Sequence, residues 1–200
     1  MKTLVLVVLA LALVTSAPLV SAQSADLPTY AVGDTWKRSN GVEYKVVRVD
    51  SDNIIFEGLV ADCKTCLVRS SAKDLTLIEA TTADGKPLDP TQIRGVFIGS
   101  GWRFWDFPLQ VGKEWRAGGT QFFRGSPSQL TADFRVYSIE DVKTPAGVFK
   151  AYRIVANWSG GAGSRWTNQL WYAPEVKAAV KMTSNNPNTS HWELLSYSVK

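Results

Sequence analysis

The sequence predicts an all-β fold, mainly antiparallel, arranged as a rolled sheet, a partly open barrel or a sandwich. Apolar and polar residues alternate with the two-residue period of a strand along much of the chain, and no segment sustains the 3.6-residue apolar period of a helix. The strand-like segments also recur at a spacing of roughly 8–12 residues with turn residues between them, as is typical of antiparallel sandwiches and barrels.

Val142–Met182 shows this pattern most clearly. It contains a turn in which Pro145 fixes a negative φ, and Gly147 can take the positive φ that a type II turn or a bulge requires. Three strands follow, joined by a Gly/Ser loop and a second turn around Pro174: Phe149–Trp158, Trp166–Tyr172 and Val176–Met182.

The same alternation predicts the remaining strands. In chain order they are Glu43–Val49, Ile54–Val60, Leu67–Val68, Leu75–Ala80, Ile93–Ile98, Leu130–Tyr137 and His191–Val199. The polar connection 84–90 is the best boundary between two halves. We therefore expect an N-terminal β subdomain over residues 23–90 and a C-terminal β subdomain over residues 91–200.

The two halves carry a short similarity to each other. Tyr30–Trp36 (YAVGDTW) resembles Leu109–Trp115 (LQVGKEW), with Val-Gly-x-x-Trp in both copies. In each copy the glycine permits a tight turn and the tryptophan begins an alternating strand. Two similar β subdomains would explain this repeat, and coincidence is the alternative because so few positions are shared.

The first 22 residues have the pattern of a secretory signal peptide. Lys2 lies in a short basic head, Leu4–Val14 is an apolar run, and Val20–Ala22 is a small-residue cleavage site, so the mature chain is predicted to begin at Gln23. The apolar run would span about half of a ~30 Å hydrocarbon core, which does not favour a membrane anchor. We expect an exported protein, periplasmic or extracellular, with no integral membrane span after cleavage.

Two motifs resemble a known group of proteins. One combines Pro145–Phe149 (PAGVF) with Trp171–Val176 (WYAPEV), and the other is Phe107–Trp115 (FPLQVGKEW). Over roughly Trp105–Lys200, the chain is similar to the DUF3108-like and TapB-like bacterial envelope proteins. Lys177 departs from their pattern, which has glycine at this position. The resemblance implies an exported β-sheet domain and no enzyme activity, because that group offers no catalytic residues to carry over.

The charged and nucleophilic residues predict neither catalysis nor a cofactor. The net charge of +4 comes from interspersed lysines and arginines, which does not favour nucleic acid as a partner. His191 is the single histidine, and the sequence has no nucleophile elbow, phosphate loop or suggestive carboxylate pair to accompany it. A zinc site would need more ligands than two cysteines and one histidine supply. We expect no enzyme, no metal, no cofactor and no nucleic-acid partner.

Cys63 and Cys66 form the one compact chemical motif, C-x-x-C. A thioredoxin-type site would place this motif at the start of a helix, and no helix is predicted here. A structural disulfide is the favoured interpretation in an exported protein, and a redox-active pair is the alternative. Strand residues three apart are separated by about 10 Å, so the bond requires a tight turn at residues 62–67.

The best candidate for a functional surface is the aromatic cluster at residues 97–107. Its aromatic residues are too many for one face of one strand, so they fill a core between the halves or line a groove. Alternation predicts that Trp102 and Phe104 face a groove and that Trp105 and Phe107 are core. Together with Trp166 on a later strand, Trp102 and Phe104 are the predicted ligand-binding residues.

Three functions fit such a surface. We expect a non-catalytic domain that binds an apolar ligand or an envelope component through a concave aromatic face. The first alternative is a structural or assembly module that contacts a protein partner through a sheet edge or an aromatic patch. The second is a carbohydrate-binding module that uses Trp102, Trp105 or Trp166.

Overall fold

The computed structural model describes residues 23–60, 63–89, 96–97, 102–123, 126–189 and 191–200, and it confirms the predicted all-β, mainly antiparallel fold. The predicted signal peptide lies outside these residues. The strands are β1 (Ser24–Ala25), β2 (Thr35–Arg38), β3 (Glu43–Val49), β4 (Asn53–Glu57), β5 (Leu67–Ser71), β6 (Leu77–Thr81), β7 (Val96–Phe97), β8 (Leu109–Gln110), β9 (Glu114–Phe123), β10 (Ser126–Thr144), β11 (Gly147–Ser159), β12 (Arg165–Ala173), β13 (Ala178–Ser184) and β14 (Trp192–Ser198).

Two single-turn 3₁₀ helices, Gly161–Gly163 and Pro174–Val176, join β11 to β12 and β12 to β13. Across the described ranges, no helix has the length and apolar character needed to cross a membrane.

Twelve of these strands form one antiparallel sheet in the order β6-β5-β4-β3-β2-β14-β13-β12-β11-β10-β9-β7, and β1 pairs separately with β8. The order runs mostly through sequential hairpins, as short turns between alternating strands predict. There are two exceptions. β9 pairs with β7 because β8 belongs to the other sheet, and β2 pairs with β14, which brings the two ends of the domain together in the middle of the sheet. The sheet is not closed into a barrel, since β6 and β7 lie at its opposite ends.

Most strands agree with the predicted segments except at some ends, whereas the two-residue strands β1 and β8 were not predicted. The predicted strand Leu130–Tyr137 continues as β10 to Thr144. The alternation of apolar and polar residues is interrupted near Tyr137 because the strand has a β-bulge between Val136 and Ser138, and pairing with β11 resumes after it. Gly147 has φ +143°, which confirms the predicted positive φ after Pro145. Of the predicted strand Ile93–Ile98, only Val96–Phe97 lies within the described residues.

The two copies of the short repeat have the same backbone hydrogen bonds. Gly33 has φ +94° and its N–H donates to the carbonyl of Val46 at 2.9 Å, while Gly112 has φ +91° and donates to Val136 at 2.8 Å. Each copy then begins a strand with a tryptophan stacked on the ring opposite it: Trp36 on Tyr44 and Trp115 on Phe134, with ring centroids 4.9 Å and 5.0 Å apart. The sequence repeat therefore corresponds to one local structure used twice.

The apolar core consists of two clusters of buried side chains on the inner face of the sheet. The first combines strands from both ends of the chain, and the Trp36 indole N–H donates to the carbonyl of Val176 at 2.7 Å inside it. The second is built on β9–β12 and includes Trp102, Phe134 and Trp158. The sheet is continuous across the predicted boundary at residue 90, and the division into subdomains there stays a prediction.

Cys63 and Cys66 are joined by a disulfide, as predicted, with Cα atoms 5.5 Å apart. Lys64 and Thr65 form the required turn between β4 and β5. Residue 62 of the predicted turn lies outside the described residues. Neither cysteine is a free thiol, and the disulfide closes the loop that connects β4 to β5.

Candidate ligand-binding cavity

A cavity of about 1480 Å³ lies between the N-terminal strands β2–β6 and the C-terminal strands β10–β13. Its apolar wall includes Tyr44 and Phe56 on one side and Trp158, Trp166 and Leu170 on the other. The loops β2–β3, β4–β5, β11–β12 and β13–β14 contribute to its rim. Because alternate hairpin loops of an antiparallel meander lie at the same end of the sheet, these four loops define one mouth.

The register explains why aromatic rings accumulate on the C-terminal wall. Trp158 of β11 lies directly opposite Trp166 of β12, and side chains of directly opposed residues share a face. Their rings are parallel within 2°, with centroids 5.7 Å apart. Phe104 packs beside Trp158 at 6.4 Å, and Phe134 meets the same indole edge-on at 6.1 Å. The result is a continuous aromatic surface that favours contact with an apolar molecule.

Phe104 and Trp166, two of the three predicted ligand-binding residues, line this cavity and are half-buried. Their role in binding stays a prediction, because the geometry gives them access to the cavity and no more. The structure does bring them to the same surface through Trp158, although they are more than 60 residues apart in sequence.

The prediction that Trp102 faces the groove is wrong. Its side chain is 0% exposed and lies in the second core cluster, stacked on Phe104 at 5.8 Å. Gly119 makes room for it, since a Cβ at that position would lie 2.6 Å from the indole nitrogen of Trp102. Residues 103–106 are not a strand, so the alternation on which the prediction rested does not apply.

Trp105 and Phe107, predicted as core residues, are only half-buried. Trp105 contributes to the cavity wall as well as packing on Tyr172 with a centroid distance of 5.1 Å. Phe107 meets the same tyrosine edge-on at 5.4 Å and agrees better with the prediction. The segment 102–107 thus contributes to both regions: Trp102 belongs to the core, whereas Phe104 and Trp105 line the cavity.

Asn168 is a polar residue on the inner face that sequence reasoning missed. It is 9% exposed, lines the cavity and lies between Ala156 of β11 and Ser184 of β13 in the register. No described residue donates a hydrogen bond to its buried Oδ1. A buried amide oxygen without a donor is unfavourable by about 1–3 kcal/mol, so this group is a point at which a ligand or water would bind. The sequence did contain a signal for it, because Asn168 lies two residues from both Trp166 and Leu170 and is therefore a polar residue on an otherwise apolar strand face.

Arg38 is a second missed residue of the cavity wall. Its guanidinium carbon lies 4.1 Å from the ring centroid of Trp192 and 4.7 Å from that of Tyr44, and its Nη2 donates to the Tyr44 hydroxyl at 3.2 Å. The two rings belong to β14 and β3, on either side of β2. Sequence alternation alone gave no sign of this sandwich, because Trp192 is far away in the chain.

Burial raises the pKa of two tyrosines near the cavity, Tyr30 and Tyr172. Burial raises the pKa of Tyr30 well above its ordinary value, with smaller contributions from the neighbouring Tyr172, Tyr44 and Asp34. Burial also raises the pKa of Tyr172, whose ring packs under Trp105. The Tyr30 hydroxyl donates to the carbonyl of Lys177 at 2.8 Å, which gives it a structural role. Such groups are poor proton donors and acceptors near neutral pH.

The remaining candidates for chemistry lie apart from one another. His191 is exposed and immediately precedes β14, the last strand. Within the described ranges, no group of three His, Cys, Asp or Glu residues is placed to hold a metal ion. The buried Asp34 is engaged by the backbone N–H groups of Ala31 and Lys200 and by the Lys177 ammonium group.

Comparisons with known proteins leave the family open. No protein-family model matches the chain, and no curated protein sequence matches it significantly. The resemblance to DUF3108-like and TapB-like proteins therefore stays a prediction.

The solved structures that are similar to this one include two bacterial proteins. The hypothetical lipoprotein YmcC from Escherichia coli has a TM-score of 0.46 at 7% identity, over 88% of this chain and 90% of that chain. A "putative lipoprotein" from Parabacteroides distasonis has a TM-score of 0.49 at 12% identity, over 88% of this chain and 100% of that chain. At such identities and with TM-scores below 0.5, neither likeness informs the function of this protein.

Proposed function

We propose that this protein is an exported, non-catalytic β domain that binds an apolar ligand in the cavity between the two halves of its sheet. The cavity itself carries the proposal. Its volume of about 1480 Å³ exceeds the ~300–1,000 Å³ of ordinary small-molecule sites, so it suits a long or bulky ligand. Its walls carry aromatic and aliphatic side chains, with the Asn168 amide as a polar contact.

Export is supported by the predicted signal sequence and by the Cys63–Cys66 disulfide. Disulfides persist in oxidising compartments and are rare in the reducing cytosol. An envelope component such as a lipid is therefore the class of ligand that the domain would meet.

The carbohydrate-binding alternative has less support from the surface. Sugar-binding modules offer exposed, flat aromatic rings, and the parallel Trp158–Trp166 pair has one member that is only 5% exposed. Among the described residues, the large hydrophobic side chains that are exposed include Tyr137 and Tyr197 but no tryptophan. The assembly-module alternative has little support from the β6 edge, because Leu77 and Thr81 at its two ends already form bridges with Trp102 and Pro87.

Titration with N-phenyl-1-naphthylamine, an uncharged dye that fluoresces in apolar sites, tests the proposal. We expect saturable fluorescence that hexadecanol or another long-chain compound displaces. Native mass spectrometry of protein purified from its own envelope would then identify a co-purifying ligand. A folded protein that neither binds the dye nor carries any ligand would contradict the proposal.

A pair of adjacent substitutions localises the binding. Leu170 lines the cavity, whereas its neighbour Gln169 points to the opposite face and accepts a hydrogen bond from Arg153. Leu170→Trp should fill part of the cavity and weaken dye binding, and Gln169→Trp should leave it unchanged. Equal effects from the two variants, both still folded, would place the dye outside the cavity.

A further inference from the structure

The arginines of this protein divide into two groups. Eight lie in the described part of the chain, and six of these have a carboxylate partner: Arg48, Arg69, Arg103, Arg116, Arg135 and Arg153. The other two, Arg38 and Arg165, have no ion pair with a described residue, and both line the cavity. The cavity therefore contains guanidinium groups without counter-ions, while the rest of the described surface pairs its arginines.

Arg38 is held in place without being neutralised. Trp192 and Tyr44 contact its guanidinium group by cation–π interactions, and the Tyr44 hydroxyl accepts one hydrogen bond from Nη2. Its Nε is buried and has no acceptor among the described residues. Rings and a neutral hydroxyl fix the orientation of this cation, and its charge remains available to an anion.

Arg165 adds positive charge at the same end of the sheet. β2 ends at Arg38 and β12 begins at Arg165, and the three steps of the sheet order between these strands make them antiparallel. Both residues line the cavity at this end of the sheet. The register offsets Arg165 from the level of Arg38 by about seven residues, roughly 23 Å along the strands, so the two guanidinium groups do not form one cluster. Lys64, exposed on the β4–β5 loop, also lies on this rim.

One carboxylate among the described lining residues opposes these cations. Glu43 lies on the rim, but Lys37 pairs with it at 3.5 Å. Lys177, which also lines the cavity, is engaged by the buried Asp34 at 3.0 Å and so adds no unpaired charge. The unpaired charge among the described lining residues is positive, and the same cavity has an aromatic wall.

We infer that the ligand is an amphipathic anion with a single long alkyl or acyl chain, whose carboxylate or phosphate head group binds Arg38 at the mouth. This inference rests on the proposed function, because it assumes that the cavity holds an apolar chain. The chain lies along Phe104, Trp158 and Trp166, and the head group accepts hydrogen bonds from the guanidinium of Arg38, with Arg165 contributing longer-range attraction.

A matched set of ligands tests the charge separately from the cavity. Palmitate, hexadecyl phosphate and hexadecanol share a sixteen-carbon chain and differ in the head group, and each is titrated against protein loaded with N-phenyl-1-naphthylamine. We expect both anions to displace the dye at concentrations at least about tenfold lower than hexadecanol does, as one charge-assisted hydrogen bond allows. Equal affinity of the anions and the alcohol would overturn the inference and leave the apolar-ligand proposal standing. Failure of all three, and of the dye itself, would overturn both.

Substitutions assign the preference to Arg38. Arg38→Met should remove most of the tenfold preference for the anions and leave hexadecanol binding unchanged. Arg135→Met is the matched control, since Arg135 lies on β10, is exposed and pairs with Glu114 outside the cavity. A full preference retained in folded Arg38→Met would overturn the assignment. If Arg38→Met does not fold, Arg165→Met offers a milder test, in which an unchanged anion affinity at low salt would likewise count against a cationic mouth.

Discussion

Replacing Asp34 by asparagine tests whether a buried charge cluster holds the ends of this domain together. The Asp34 side chain is 0% exposed. Its Oδ1 accepts from the N–H of Lys200 at 2.8 Å, and its Oδ2 accepts from the N–H of Ala31 and from the Lys177 ammonium group, each at 3.0 Å. One carboxylate therefore connects the start of β2, the turn before β13 and the segment after β14.

The expected cost follows from these contacts. Asparagine has the shape of aspartate, but its Nδ2 must face at least one of the three donors, and Lys177 loses its counter-ion. Breaking a buried ion pair by removing one partner costs about 3–5 kcal/mol. We expect a value near the lower limit because Lys177 Nζ still donates to the carbonyl of Lys200 at 2.7 Å. A loss of about 3 kcal/mol lowers the melting temperature of a domain of this size by about 6–12 °C.

The pH dependence gives an independent check. Burial opposes ionisation of Asp34, but the hydrogen bonds from Ala31, Lys177 and Lys200 outweigh it and lower its pKa below the ordinary 3.8. A carboxylate with a lowered folded-state pKa adds stability above its unfolded-state pKa, and this stability is lost as the pH falls through the folded value. The difference in free energy of unfolding between wild type and Asp34→Asn should be constant from pH 7 to about pH 5 and shrink below about pH 4.

Thermal and urea unfolding followed by circular dichroism measure both effects. Glu114→Gln is the control, because Glu114 and Arg135 form an exposed pair with side chains 63% and 52% exposed. Exposed pairs contribute at most about 1 kcal/mol, so this control should melt close to wild type. The reasoning fails if Asp34→Asn matches the control at pH 7, or if its deficit persists undiminished into acid.

Four further substitutions test the turn, the core and the cavity wall. Gly147→Val should lower the free energy of unfolding by about 1–3 kcal/mol, because φ is +143° there, and an unchanged urea midpoint would show that the turn tolerates a side chain. Trp102→Ala should cost about 3–5 kcal/mol as a loss of core packing, and the half-buried Trp166→Ala only about 1 kcal/mol; the reverse ranking in thermal melts would contradict the placement of these residues. Asn168→Leu should stabilise the ligand-free protein by about 1–3 kcal/mol by removing an amide oxygen without a donor, and a lower stability would show that the amide is already satisfied.

The sequence was informative where the structure depends on local patterns. Alternation predicted the strands because one face of the sheet is buried along β10–β12, and turn composition predicted the positive φ of Gly147. The C-x-x-C spacing predicted the Cys63–Cys66 turn because a disulfide over three residues cannot form in an extended chain. The Val-Gly-x-x-Trp repeat identified two loops with the same hydrogen bonds.

The cavity wall was harder to predict because it depends on contacts between distant strands. The error at Trp102 came from treating residues 102–107 as a strand, whereas only an isolated bridge to Leu77 has strand geometry there. Arg38 is a cavity residue because β14 places Trp192 beside β2, a pairing that no local pattern indicates. Asn168 alternates with Trp166 and Leu170 in the sequence, but its burial on the inner face depends on the neighbouring strands, where it lies opposite Ala156 and Ser184.

Lys177 contacts the first copy of the repeated loop. This residue has φ +57°, a left-handed conformation that favours glycine, after the 3₁₀ helix Pro174–Val176. A lysine there is strained by about 1–2 kcal/mol, and its contacts with Asp34 and Lys200 offset the strain.

The second copy of the loop has a lysine where the first has Asp34. The ammonium group of Lys113 pairs with Asp106 at 3.1 Å and donates to the carbonyl of Pro108 at 3.0 Å. The two loops therefore share a backbone but differ in charge. The first fixes the junction of β2 and β14 in the middle of the sheet, and the second fixes the segment that carries Phe104 to the cavity wall. A duplicated loop with opposite charges thus supports both the centre of the sheet and the candidate site.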